Sequence, residues 1–264
     1  MTHDSGYINS DSDAETESNR LGLLESSRDP ATMRQLEELG VGPGWRCLEV
    51  GAGRGSIARW LAEKVAPTGS VTAVDLDLRF LTDLPENIEL RQLDIREDEV
   101  EVEAYDLVHS RALLMHLPDP VETLTKLAAA LRPGGLLLAE EPDFGLFHYG
   151  GHPDSLEMSE IAHRTFDSMK EAGIFNAQFG RSLPALLSAC GLSLLGTRIE
   201  TPVSGPGEPD YELARATALE SAPKLAAAGI VTEANVTRLE DYFSQPGAVL
   251  TCSSLVAAWG RKQE

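Results

Sequence analysis

The stretch Cys47-Leu48-Glu49-Val50-Gly51-Ala52-Gly53-Arg54-Gly55-Ser56 constrains the fold of this chain more than any other feature. Arg46 to Val50 reads as a short buried strand. Ser56 to Val65 reads as a helix, with Ile57, Leu61 and Val65 at helical spacing, so the glycines fall on the turn between them. In a parallel α/β sheet such a turn opens the ligand crevice. Glycine suits it because a side chain would hold the backbone away from a ligand and because the turn needs backbone angles other residues resist. Asp75 ends the next apolar run, where a carboxylate suits the two hydroxyls of a ribose. The pair of signals points to a nucleoside-bearing cofactor.

The pattern continues as strand–helix alternation. Strands are expected at Arg46 to Val50, Ser70 to Val74, Ile88 to Leu93, Tyr105 to His109 and Gly135 to Glu141. Further strands are expected at Leu192 to Thr201 and Cys252 to Trp259. The fold class is therefore α/β, a Rossmann-like, seven-stranded, mostly parallel sheet with helices on both faces and helical lid insertions. Upstream, residues 1 to 19 carry only Tyr7 and Ile8 as bulky apolar anchors, and a helix follows from about Arg20. Asp29-Pro30 then reads as a helix start, with the acid as cap and proline in the first turn. Residues 1–40 form an N-terminal cap segment and helix in this reading, and 41–264 form the main domain. Within it, 142–180 and 203–247 interrupt the alternation and are candidate lids. Phe144, Phe147, His148, Tyr149, His152 and His163 fall in the first of these, where rings either pack or touch a flat acceptor.

Charge narrows the partners. With 42 acidic residues against 22 Lys and Arg, the 264-residue chain carries a formal charge of −20, which repels phosphate backbones and anionic lipid surfaces. Nucleic acid and membrane are not expected as partners; a homodimer is compatible with these residues. Cys47, Cys190 and Cys252 lie in apolar runs without metal-ligand spacing and read as reduced core thiols, so no metal is expected. No apolar run reaches membrane-helix length and the start shows no signal-peptide pattern, which makes a cytoplasmic location the expectation.

A glycine turn with a downstream acid is shared by several cofactor classes. Further landmarks follow at fixed order: Val74-Asp75-Leu76-Asp77, Leu93-Asp94-Ile95, Tyr105-Asp106-Leu107-Val108 and Leu131-Arg132-Pro133-Gly134-Gly135. With these the chain resembles the class I S-adenosylmethionine-dependent methyltransferases, strongly over residues 40 to 142 and in outline to the C-terminus. It is most similar to small-molecule methyltransferases of bacterial secondary metabolism. The resemblance implies S-adenosyl-L-methionine as cofactor, S-adenosyl-L-homocysteine as product, and a small acceptor, apolar or aromatic, methylated at oxygen, nitrogen or carbon.

It also implies roles. Gly51, Ala52, Gly53 and Ser56 would line the methionine and ribose portions, with Glu49 helping to receive the cationic amino group. Asp75 would hold the ribose hydroxyls and Leu76 would pack on adenine. Asp94 would accept from the exocyclic amine and the Ile95 amide would meet a ring nitrogen. Ser110 and Arg111 would approach from the fourth strand, mostly through backbone, and Tyr7 and Arg20 would fold over the cofactor. His116 and Glu141 are the candidate catalytic residues, His116 as general base or as a shaper of the pocket. Glu140 and Glu141 cannot share one face of a strand.

Competing classes fit less well. No tyrosine is followed four residues later by lysine, as an oxidoreductase proton donor would require, and His109-Ser110-Arg111 stands where a metal-dependent catechol-type enzyme places an acid. A cofactor-binding protein that transfers no methyl, acting as scaffold, sensor or cyclisation catalyst, is the alternative function.

Overall fold

The computed structural model describes residues 13–264. The chain divides into two compact units. One comprises Arg28–Glu141, Phe179–Arg198 and Val256–Glu264. It is built on a seven-stranded sheet: β1 (Arg46–Val50), β2 (Ser70–Asp75), β3 (Ile88–Gln92), β4 (Tyr105–Arg111), β5 (Leu131–Asp143), with β7 (Leu192–Glu200) and β10 (Ser254–Lys262), in the order β3-β2-β1-β4-β5-β10-β7. The pairings β3·β2, β2·β1, β1·β4 and β4·β5 are all parallel. Because β1 has β2 on one side and β4 on the other, the connections leaving β1 and β4 diverge. The crevice of such a sheet opens at that point.

Strand β1 is buried from Cys47 to Val50, as expected of a strand covered on both faces. Helix α2 (Ser56–Val65) buries Ile57, Leu61 and Val65, joined by Ala58 and Ala62, against Cys47, Val71 and Ala73 of the sheet. Each fully buried Leu or Ile contributes about 1.5–3 kcal/mol. Helix α3 (Pro120–Ala130) starts on Asp119, whose side chain accepts the N–H of Glu122 at 2.9 Å, with proline in the first turn.

The other unit holds the described residues up to Ser27, with Pro142–Gln178 and Ile199–Leu255. The segments expected as lids fall in this unit apart from Phe179 and Gly180. It contains α4 (Ser155–Glu171), α6 (Pro209–Ala227), α7 (Glu233–Phe243) and a small antiparallel sheet of β6 (His148–Gly150), β9 (Val249–Thr251) and β8 (Val203–Ser204). Phe147, Tyr149, Tyr211, Tyr242 and Phe243 are buried in its core, with Tyr149 edge-on to Tyr242 at 4.8 Å between ring centroids. Of the ring residues noted in 142–180, Phe147 and Tyr149 are therefore packing. His163 Nε2 lies 2.9 Å from the Phe147 carbonyl, and His148 is exposed.

Two local expectations are corrected. Asp29-Pro30 does not begin a helix: α1 runs unbroken from Ala14 to Glu38 with Pro30 inside it. Proline removes one i→i−4 bond there, and the Asp29 carboxylate is engaged by Arg111 and Ser56 instead of capping. The helix expected from about Arg20 begins earlier, at Ala14.

Candidate functional site

The glycine turn after β1 has the backbone its sequence requires. Gly51, Gly53 and Gly55 have φ of 74°, 57° and 83°. The turn is tied to β2 by Gly51 and Ala52, whose N–H groups both donate to the Val74 carbonyl. Gly53 N–H donates to Asp75 Oδ2 at 2.8 Å, and Asp77 N–H donates to Asp75 Oδ1 at 3.0 Å. A side-chain methyl at Gly51 would lie 3.5 Å from Leu113, so the loop after β4 closes directly over the turn. Helix α2 begins on Gly55 without a side-chain cap.

These features fit an adenosine-bearing ligand. Burial raises the pKa of the Asp75 carboxyl, opposed by its backbone hydrogen bonds from Asp77 and Gly53. Each of its oxygens takes one N–H and keeps lone pairs for hydroxyl donors. Leu76, next in the chain, is 37% exposed, an apolar surface where a flat ring would pack. Ser110 Oγ is buried and meets no hydrogen-bond partner among the described residues.

Other expected residues are committed differently. Asp94 is forked by Arg96, with Arg96 Nε 2.9 Å from Oδ1 and Nη2 2.7 Å from Oδ2, so an adenine amine would share that carboxylate with a guanidinium. Ile95 is buried, and its carbonyl accepts from Lys126 Nζ at 2.9 Å. The Arg111 side chain is engaged within the protein: Nη1 donates to Thr32 Oγ1 and Nη2 to Asp29 Oδ1, both at 2.8 Å. Ser56 Oγ donates to the same Asp29 oxygen at 3.1 Å. Arg20 lies in the other unit and bonds Glu17 through Nε and Nη2. Tyr7 lies outside the described residues.

Glu140 and Glu141 are both buried and serve opposite faces of β5, as strand alternation requires. Glu141 Oε1 accepts the N–H groups of Leu113 and Leu114 at 3.0 and 2.8 Å, and Oε2 accepts that of Met115 at 3.3 Å. Burial lifts its carboxyl to about 7 although those three bonds pull the other way. It does not project into an open crevice. It holds the short 3-10 turn Leu114–His116, and His116 is half-buried at the end of that turn.

On the other face lies a residue the sequence did not mark. His109 is fully buried, with Nδ1 2.6 Å from Glu49 Oε2 and Nε2 3.2 Å from Glu140 Oε2. Burial pulls the imidazole pKa down, but the charge of Glu49 and the hydrogen bonds with Glu140 and Glu49 outweigh it, leaving the ring at about 9. It is an imidazolium between two carboxylates at neutral pH. Glu49 and His109 are register partners on β1 and β4, so the contact follows from strand pairing. Acids near the ends of β1 and β5, with a lone His on the strand between, were the available clue.

A family model described as a methyltransferase domain matches residues 14–195. The methyltransferase str3 of Strobilurus tenacellus is 30% identical over 173 residues, which are 64% of this chain and 61% of that protein. This chain therefore spans less than two thirds of that relative's length. Among solved structures, a candidate methyltransferase from Bacillus halodurans C-125 has a TM-score of 0.61 at 17% identity, covering 89% of this chain and all of that one. The 4+2 cyclase SpnF has a TM-score of 0.57 at 16% identity, covering 89% of this chain and 80% of that one. At such identities the likeness is one of fold.

Proposed function

The chain belongs to the methyltransferase-domain family, and from that membership we propose that it transfers the methyl group of S-adenosylmethionine to a small, apolar or aromatic acceptor. The observation that carries the reading is the glycine turn locked to Asp75 by the 2.8 Å Gly53 bond, beside exposed Leu76. The cofactor supplies a sulfonium-activated methyl carbon, displaced in line by a nucleophile, so the protein's task is chiefly to position and to exclude water.

Each residue has a part in that task. Gly51 to Gly53 admit the ligand's methionine portion to the backbone, Asp75 receives the ribose hydroxyls, and Leu76 covers the adenine. Asp94 and Ile95 meet the adenine edge, with Asp94 sharing its charge with Arg96. Glu49 attracts the ammonium. His116, on the turn fixed by Glu141, takes the acceptor's proton. The charge of −20 favours a neutral or cationic small acceptor over nucleic acid.

Incubation with methyl-labelled S-adenosylmethionine and a panel of phenols, indoles, amines and polyketides tests this reading. Label in an acceptor with matching S-adenosylhomocysteine supports it. Tight cofactor binding with no transfer to any member of the panel favours the second reading, a cofactor-bound catalyst without methyl transfer, which the fold shared with a cyclase keeps in play.

A further inference from the structure

Glu49, two residues before Gly51, and Ser56, which follows Gly55, are joined by one continuous run of hydrogen bonds. From Glu49 the run passes to His109 (2.6 Å), to Glu140 (3.2 Å), to the Thr32 hydroxyl (2.5 Å), to Arg111 (2.8 Å), to Asp29 (2.8 Å), and ends on Ser56 (3.1 Å). Donors and acceptors alternate correctly along it. Thr32 accepts from Arg111 and donates to Glu140; the imidazolium donates from both nitrogens. The run draws on β1, β4, β5, α1 and the first residue of α2. All of its members lie in the unit built on the seven-stranded sheet.

We infer that His109 is a positioning residue for the methionine portion of the cofactor, acting through Glu49. The inference rests on the proposed cofactor site at Gly51 to Gly53.

Three physical points support it. Glu49 is 4% exposed, and an acidic side chain withdrawn from water needs a hydrogen-bonded, oppositely charged partner. Register places the His109 ring as that cation, and among the described residues no other cationic side chain bonds Glu49. The contact uses Oε2, so Oε1 keeps its acceptor capacity for an ammonium group. The members also sum in charge: Glu49, Glu140 and Asp29 against His109 and Arg111 leave one negative charge beside the turn. A ligand ammonium completes the set. If the ring were neutral, it would donate from only one nitrogen and leave one of its two carboxylates without a bond from the imidazole.

The test compares two ligands that share adenosine and differ in the amino-acid portion. S-adenosylhomocysteine carries it; 5′-methylthioadenosine does not. By calorimetric titration, His109→Gln is expected to weaken S-adenosylhomocysteine at least tenfold and to leave 5′-methylthioadenosine within threefold of wild type. Equal losses for both ligands, or no loss for either, would overturn the inference and leave the cofactor reading standing. Failure of the wild-type protein to bind either ligand would overturn both. If the variant does not fold, nitrogen NMR of the wild-type protein decides. The His109 ring resonances are expected to move on addition of S-adenosylhomocysteine and to stay in place with 5′-methylthioadenosine. Movement with both or with neither counts against the proposal.

Discussion

Glu141 receives the backbone N–H of Leu114 at 2.8 Å, and through that bond the end of β5 holds the turn that carries His116. Glu141→Gln keeps the size of the side chain but puts an amide donor in place of one of the two oxygens that accept backbone N–H groups. A buried amide left without an acceptor costs about 1–3 kcal/mol. Chemical denaturation should show a loss of that size, with turnover reduced because His116 is no longer held. Unchanged stability would mean that the turn is fixed by its apolar contacts at Leu114 and Met115 instead.

His116 itself separates chemistry from binding. If it takes the acceptor's proton, His116→Asn should lower the rate of methyl transfer about 100-fold or more. Affinity for S-adenosylhomocysteine should stay near the wild-type value, since no cofactor contact is assigned to the ring. A rate within a few-fold of wild type would reduce His116 to a wall of the pocket.

Asp75 should act on binding. Asp75→Ala removes the acceptor of the Gly53 N–H and, if the proposed cofactor placement holds, that of the ribose hydroxyls, at about 1–3 kcal/mol in cofactor affinity. Titration with S-adenosylhomocysteine measures it, and an unchanged dissociation constant refutes the ribose placement.

How far the sequence could be read follows from the range of the interactions. The turn at Gly51 to Gly55 is coded by neighbours along the chain, apolar strand then glycines then helical spacing, so its backbone matches expectation at each glycine. Asp75 is legible for the same reason, being the end of the next strand. The run through His109 is not local. Glu49, His109 and Glu140 lie far apart in sequence and meet only when β1, β4 and β5 pair in register, and Thr32 is brought to Glu140 by packing of α1. Asp29 shows the same limit from the other side: beside Pro30 it looks locally like a cap, and its partners Arg111 and Ser56 meet it only in the folded chain.

The buried imidazolium makes stability depend on pH. Folding raises the His109 pKa from 6.5 to about 9, so the folded state binds this proton more tightly than the unfolded chain. The resulting stability is fully present below pH 6.5 and is lost as pH rises through 9. Between pH 7 and 9 the loss should be about 2 kcal/mol in unfolding free energy. Glu141, raised to about 7, loses its own contribution between its ordinary 4.5 and 7, mostly below that window. Urea denaturation at pH 7 and 9 should show the drop in wild type and a flatter response in His109→Gln. An equally steep fall in the variant would assign the slope to other groups.

In the other unit, the hydroxyl of Tyr242 fastens two strands of the small sheet. It lies 3.0 Å from the Gly150 carbonyl and 2.7 Å from that of Val249, and the Gly150 N–H approaches it at 3.4 Å. Burial, with Tyr211 nearby, pushes the phenol up to about 12, so it remains a donor across the physiological range. Tyr242→Phe keeps the ring that packs on Tyr149 and Phe243 and removes only the oxygen. Leaving the carbonyl groups of β6 and β9 without that donor should cost about 1–3 kcal/mol. Amide hydrogen exchange should quicken over His148–Gly150 and Val249–Thr251 while the core of β1 and β4 keeps its protection. Equal acceleration in β1 and β4 would show that the two units unfold together, and no acceleration anywhere would show that the β6–β9 ladder holds without the hydroxyl.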